Sequence, residues 1–259
     1  VIDFIVTKPG AGGAALTRAL VDAGGQAWHL PAFELGPAPD PAAARALLAQ
    51  AAGFDLVIAV SPAAARGAAA LMQAPWPAAT RLAGVGLATA QALREAFHLP
   101  PERVVIAPPA EDDEGSGSEA LWEALQPLRP PPRRVLLLRA AQGRDWLPER
   151  LRAAGAAVEV LPVYARRAAD WAGPPAAAAC AALRAGQAGV VVTSSEAVAA
   201  VLAQAAVRDR AAALRAAPAV TMHPRVADAL RGAGFARVYV LPRLDAPALR
   251  SLAHRIGEG

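Results

Sequence analysis

The sequence predicts an α/β protein of two similar domains with mostly parallel sheets, joined by a two-stranded linker and related by internal duplication. Three observations predict it. Short apolar runs rich in Val, Ile and Leu alternate with alanine-rich helical stretches along the whole chain, the pattern of βα units with buried strands. The segment Leu30-Pro31 with Phe33 recurs as Leu161-Pro162 with Tyr164, and Leu20 with Gly24 recurs as Leu151 with Gly155, all at an offset of 131 residues. Further pairs follow at similar offsets: Ser61 with Ser194 at 133, 104–108 with 238–242 at 134, and the Thr89 region with 219–230 at 137.

Composition narrows the function classes. The 259 residues suffice for two medium domains. Hydrophobic residues make up 55% but aromatics only 5%, so the core is expected to be aliphatic. There are 26 basic and 22 acidic residues. The arginines are scattered rather than gathered into a basic stripe, which argues against a nucleic-acid partner. They suit a polyanionic small molecule, since the guanidinium fork matches carboxylates and phosphates. The single Cys180 excludes an internal disulfide. With four scattered histidines and no His-x-x-x-His, no metal is expected. No secretory leader pattern opens the sequence and no apolar run reaches transmembrane length, so the expectation is a soluble cytoplasmic protein without a membrane partner.

The elements follow in order. Residues 2–6 read as a short buried strand. Thr7-Lys8-Pro9-Gly10 to Gly13 is expected to be an anion-facing loop, and a helix over 14–23 stops at Gly24-Gly25. Gly10-x-Gly12-x-x-Ala15, with Glu34 further on, formally fits a dinucleotide fingerprint. That motif needs the strand to run directly into the first glycine, and Thr-Lys-Pro intervenes, so no cofactor is expected. Trp28 to Leu35 reads as a strand-like crossing, and Pro37, Pro39 and Pro41 extend it as a linker. A helix over 42–52 leads to a buried strand at 55–60. Ser61-Pro62 then opens a helix over 63–72, with Ser61 as the cap and Pro62 at the first helical position. Residues 82–86 form a strand and a tight glycine turn before a helix over 87–93, and 103–108 is another strand. The acidic run 111–114 reads as a solvated loop. Ser116 or Ser118 is expected to cap a helix over 119–126, which Pro127 ends.

The pattern then restarts. A strand at 135–138 leads to Arg139-Ala140-Ala141-Gln142-Gly143-Arg144, which stands where Lys8 to Gly13 stood. A helix over 147–154 stops at Gly155. Residues 158–164 form a buried strand that ends in Tyr164 and two arginines; its repeat partner carries Phe33 where this copy carries a tyrosyl hydroxyl. A helix over 176–185, a strand at 189–192, a helix opened by Thr193-Ser194-Ser195-Glu196, strands near 219–221 and 238–242, and a helix over 246–256 complete the chain. In parallel sheets ligands bind outside the carboxyl ends of the strands. Thr7, Ser61, Gly86, Thr89, Thr193 and Ser194 all fall there, beside helix N-termini that favour an acidic ligand.

The residues at these positions resemble one family over nearly the whole chain. The marks are Thr7-Lys8-Pro9, Ser61-Pro62 after Leu56-Val57-Ile58-Ala59-Val60, Gly86-Leu87-Ala88-Thr89, Leu138-Arg139 with Gly143-Arg144, Pro162-Val163-Tyr164, and Val192-Thr193-Ser194-Ser195. In order and spacing they are similar to the uroporphyrinogen-III synthases. The resemblance implies a discontinuous first domain of 1–35 plus 166–259, a second of 36–165, and an active-site cleft between them. It implies a monomer that converts hydroxymethylbilane, a linear tetrapyrrole with eight carboxylates, into uroporphyrinogen III. Water is lost and the terminal pyrrole is inverted through a spiro intermediate, with no metal or organic cofactor.

The resemblance further assigns Tyr164 as general acid toward the leaving hydroxyl. It assigns Ser61, Gly86, Thr89, Arg139, Thr193 and Ser194 to substrate binding, and Thr7, Lys8 and Arg144 to carboxylate contacts with the substrate. The chain departs from the family pattern at three places. Lys8 stands where arginine is usual, Ala63 replaces an asparagine after Ser-Pro, and Met222-His223-Pro224-Arg225-Val226 replaces a glycine-containing turn with a threonine at the Val226 position. That last change is the feature that supports an alternative reading, a non-catalytic two-lobed module binding a tetrapyrrole or another polycarboxylate.

Overall fold

The structure is a computed structural model that describes residues 2–106, 117–204 and 211–257. In chain order it opens with β1 (Asp3–Val6), α1 (Gly10–Asp22), β2 (Ala27–His29) and β3 (Phe33–Gly36). Next come α2 (Pro41–Leu48), β4 (Leu56–Ala59), α3 (Pro62–Leu71), β5 (Arg81–Gly84), α4 (Leu87–Phe97) and β6 (Val104–Ile106). These lead to α5 (Ser118–Leu125), β7 (Arg134–Ala140), α6 (Trp146–Ala153) and β8 (Ala157–Ala168). The last stretch carries α7 (Gly173–Arg184), β9 (Ala188–Val191), α8 (Ser195–Leu202), α9 (Ala211–Ala216), β10 (Pro218–Thr221), α10 (Pro224–Gly232), β11 (Arg237–Val240) and α11 (Ala246–Gly257). The acidic run 111–114 and Ser116 lie outside the described residues.

The chain divides into two compact units, Val1–Glu34 with Arg167–Gly259, and Leu35–Arg166. It passes from one to the other within β3 and again within β8.

The first unit is built on a five-stranded sheet of order β11-β10-β9-β1-β2, its pairs parallel. Successive side chains of a strand point to opposite faces. Ile5 therefore packs with Val190, Leu183, Val198 and Leu230 on one side of the sheet. Phe4 and Val6 pack with Leu16, Leu20, Leu249 and Leu252 on the other. Both faces are covered by helices, which is why these strands read as unbroken apolar runs rather than alternating ones.

The second unit repeats this scheme on a six-stranded sheet of order β3-β8-β7-β4-β5-β6. Val57, Ala59, Leu136 and Leu138 pack under α2, α3 and α4 through Leu48, Ala64 and Leu93. Leu56, Ile58, Val135 and Leu137 face α5 and α6 through Leu121, Leu147 and Leu151. The duplication is spatial as well as sequential: the order β8-β7-β4-β5-β6 matches β2-β1-β9-β10-β11, partner for partner, at the offsets read from the sequence.

Several elements differ from the sequence-based expectation. The glycine stretch is not a loop: α1 begins at Gly10, and Gly13 lies so close to the Lys8 carbonyl oxygen and the His29 ring that a Cβ would collide with both. His29 Nε2 is 2.9 Å from that same carbonyl oxygen, so tertiary contact overrides the poor helix propensity of glycine. The expected strand-like crossing at 28–35 is broken into β2 and β3, whereas its repeat partner is one twelve-residue strand, β8. Helix α5 starts at Ser118, with Gly117 at the cap position and no side-chain cap. Helix α9 was not anticipated.

Candidate functional site

The Leu35–Arg166 unit places Tyr164 where its sheet changes register. Along β7 and β8 the pairs run Leu138 with Leu161, Arg139 with Pro162, and then Ala140 with Tyr164, so Val163 is one residue more than β7 can match. Such a bulge re-aims the side chain that follows it. It explains why Val163 and Tyr164 are both buried, although neighbours on a regular strand point to opposite faces. The tyrosyl ring joins the core beside α3 and α4, and its hydroxyl oxygen lies 3.2 Å from Ser61 Oγ.

Ser61 is fixed in turn by local rules. It caps α3 in extended geometry, accepting the Ala64 N–H at 3.1 Å, with Pro62 next in line. A cap of this kind contributes about 1 kcal/mol. A second group reaches the phenol: Arg166 Nη2 donates to the Tyr164 hydroxyl oxygen at 3.2 Å. Nothing in composition or motif singled out Arg166. The strand expected to end at Tyr164 runs on to Ala168, and the spacing of two then puts Arg166 on the face of Tyr164.

Other expected site residues of this unit sit at the same end of the sheet. Gly86, with φ 79°, is the N-cap of α4, a backbone conformation that a side chain would strain. Thr89 lies buried in the first turn of that helix, which packs so tightly on Gly84 that a Cβ there would be 2.7 Å from Ala90 N. The two expected substrate-binding arginines are engaged within the chain. Arg139 Nη1 donates to Asp145 Oδ1 at 2.8 Å and to the Arg144 carbonyl oxygen at 3.2 Å, holding the β7–α6 connection. Arg144 pairs with Glu119 at 2.7 Å and lies 5.6 Å from the Trp146 ring centre.

In the first unit, Thr7 is fully buried and its hydroxyl donates to the Val191 carbonyl oxygen at 2.7 Å. The side chain thus ties β1 to β9. Lys8 is exposed, and its stem lies over the first turn of α1, with Cε 3.2 Å from where a Gly12 Cβ would stand. That turn has no side-chain cap, so its N–H groups and the ammonium make one positive locus. Thr193 and Ser194 are half-buried before α8, where Ser194 Oγ accepts the Ala197 N–H at 3.2 Å. Val226 faces the core in α10, among Val198, Leu214 and Leu230. Thr89, its counterpart in the repeat, is buried too.

Among the described residues no group of three or more His, Cys, Asp or Glu is arranged to hold a metal ion. Among them, also, no helix is long and apolar enough to cross a membrane.

Comparison with known proteins places this architecture. Residues 14–250 match the family model described as uroporphyrinogen-III synthase HemD. The chain is 30% identical over 179 residues to the uroporphyrinogen-III synthase of Salmonella typhimurium, covering 66% of this chain and 68% of that one. It is 29% identical over 173 residues to the enzyme of the same name from Proteus mirabilis, 83% of whose length is covered. In fold it is similar to a mutant uroporphyrinogen III synthase of Thermus thermophilus, with a TM-score of 0.63 at 19% identity over 100% of both chains. It is also similar in fold to the uroporphyrinogen-III synthetase of Helicobacter pylori, with a TM-score of 0.56 at 15% identity over 98% of this chain and 99% of that one. With the family model spanning most of its length, the chain belongs to the uroporphyrinogen-III synthases, the cyclising lyases of haem biosynthesis.

Proposed function

We propose that this chain closes hydroxymethylbilane to uroporphyrinogen III with Tyr164 as the proton donor. The observation that carries the reading is a tyrosyl hydroxyl set at a strand-end bulge and held by Ser61 and Arg166, in a member of this family. Protonation of the terminal hydroxyl lets water leave as the electron-rich pyrrole pushes the C–O bond apart. Ring closure with inversion then releases a proton, which restores the tyrosine. Overall one water is lost and no oxidant or reductant is needed.

Positioning supplies much of the remaining effect. The substrate's carboxylates are assigned to the N-terminal turns of α1 with Lys8, of α3 with Ser61, of α4 with Gly86 and Thr89, and of α8 with Thr193 and Ser194. Arg139 and Arg144 join this set by exchanging Asp145 and Glu119 for substrate carboxylates. Thr7 enters as the strand anchor that sets Lys8 in place. We read the protein as a cytoplasmic monomer acting on a free small molecule, without a nucleic-acid partner. The scatter of its 26 basic residues supports the last point.

The deciding experiment is the isomer ratio. Purified protein receives freshly generated hydroxymethylbilane, and the oxidised products are separated into type I and type III uroporphyrin. Type III in excess is expected, and Tyr164→Phe is expected to lose about 10²- to 10⁴-fold in its rate of formation. Type I alone, the spontaneous product, would sink the reading and leave a binding protein.

A further inference from the structure

Two arginines follow Tyr164 on β8, and strand geometry sends them apart. Arg166, two residues on, shares the face of Tyr164, while Arg167 turns the other way, is exposed and lies 3.4 Å from Glu34. Arg166 is half-buried, with Nη2 3.2 Å from the phenol oxygen and Cζ 5.9 Å from the ring centre. A guanidinium has no acceptor, so the direction of this bond is fixed: Arg166 donates and the tyrosyl oxygen accepts.

Ser61 completes the arrangement. Its Oγ already accepts the Ala64 N–H, and its own proton can go to the same tyrosyl oxygen at 3.2 Å. With both donors in place, the two lone pairs of the phenol oxygen are filled. Its own O–H is then directed away from Ser61 and Arg166. Once that proton has been given away, the negative oxygen remains between a guanidinium and a hydroxyl at a helix N-terminus. Both favour it.

We propose that Arg166 is a positioning residue for the proton transfer: it sets the direction of the Tyr164 proton and stabilises the phenolate, and it does not anchor a substrate carboxylate. The inference rests on the reading of Tyr164 as proton donor. It goes beyond that reading by assigning a role to a residue that the family motifs did not mark.

The test is a double-mutant cycle with Arg166→Met, Arg166→Lys, Tyr164→Phe and the Arg166→Met/Tyr164→Phe pair. Arg166→Met is expected to lower kcat about a hundredfold with KM within about threefold, and lysine to restore part of the loss. In the Tyr164→Phe background, Arg166→Met is expected to cost nothing more. A raised KM with unchanged kcat, or a loss that persists without the tyrosyl hydroxyl, would make Arg166 a carboxylate anchor and overturn the proposal. A wild type that forms no type III product fails the functional reading instead.

A readout independent of activity uses 3-fluorotyrosine. The chain has only two tyrosines, Tyr164 and Tyr239, and Tyr239 on β11 serves as the folding reference. Arg166→Met is expected to move the Tyr164 fluorine resonance and leave that of Tyr239 in place. An unmoved Tyr164 resonance would overturn the contact on which the role depends.

Discussion

Gly67 and the Val163 carbonyl group are in such close contact that no side chain fits between them: a Cβ on Gly67 would lie 2.5 Å from Val163 O and 3.6 Å from Tyr164 Cβ. Helix α3 therefore holds Tyr164 at two points. Ser61 at its N-terminus meets the hydroxyl, and Gly67 two turns on meets the backbone one residue earlier. Glycine in a helix interior costs about 0.5–1 kcal/mol relative to alanine, so it is kept here for space. Gly67→Ala is expected to displace the bulge, to destabilise by about 1–3 kcal/mol through overpacking, and to lower kcat more than the loss of stability explains. Thermal unfolding and steady-state kinetics on the same preparation check it. Unchanged turnover in a destabilised protein would make the contact structural only.

The two cap serines allow a matched comparison. Ser61 and Ser194 each accept one backbone N–H at a helix start, at 3.1 and 3.2 Å, but only Ser61 also meets the Tyr164 hydroxyl. Alanine at either position is expected to cost about 1 kcal/mol of stability in urea titrations. Ser61→Ala is expected to reduce kcat, whereas Ser194→Ala is expected to raise KM with kcat nearly constant. Equal kinetic profiles would remove the distinction between an acid-orienting serine and a carboxylate-binding one.

What the sequence shows of this site depends on the range of the interaction involved. Ser61-Pro62 and Ser194 are local, so cap chemistry was legible from a few residues, and the buried strands were legible because both sheet faces are covered. The duplication was legible because Leu30-Pro31 and Leu161-Pro162 keep their spacing from the aromatic. The start of α1 was misread because four residues with three glycines favour a loop locally. The close seat of Gly13 on Lys8 and His29, from another element, decides otherwise. The bulge at Val163, the need for Gly67 and the pairing of Arg144 with Glu119 are all set by partners far along the chain, and no pattern within one element reports them.

That last pair makes a competition measurable. Arg144 and Glu119 are 2.7 Å apart and both partly exposed, so the pair adds little to stability. A substrate carboxylate that takes Arg144 has to displace Glu119. Glu119→Gln is accordingly expected to lower KM for hydroxymethylbilane by about two- to fivefold, equivalent to about 0.4–1 kcal/mol, and to steepen the salt dependence of KM, since binding then forms a new ion pair instead of exchanging one for another. Arg144→Gln is expected to raise KM. If Glu119→Gln leaves KM where it was, Arg144 is a loop fastener and not a substrate contact.

Asp55 adds a small acid-sensitive contribution to the second unit. Its Oδ2 accepts the backbone N–H groups of Arg133 and Arg134, both at 2.8 Å, and its own N–H donates to the Arg134 carbonyl oxygen at 3.0 Å. The start of β4 is thereby fastened to the start of β7. The Arg134 N–H, followed by that of Arg133, holds this carboxyl below its ordinary value, against a smaller opposing effect of burial. A carboxyl depressed in the folded state binds its proton more weakly there than in the unfolded chain. Its contribution is therefore complete above the ordinary carboxylate range and is lost as pH falls through the depressed folded value. Because the group is exposed, the contribution is expected to stay below about 1 kcal/mol. Asp55→Asn keeps an acceptor but not the charge, so urea midpoints of the two proteins are expected to differ near neutral pH and to converge in acid. A constant gap between the two curves at every pH would show that the charge of Asp55 contributes nothing to the fastening of β4 to β7.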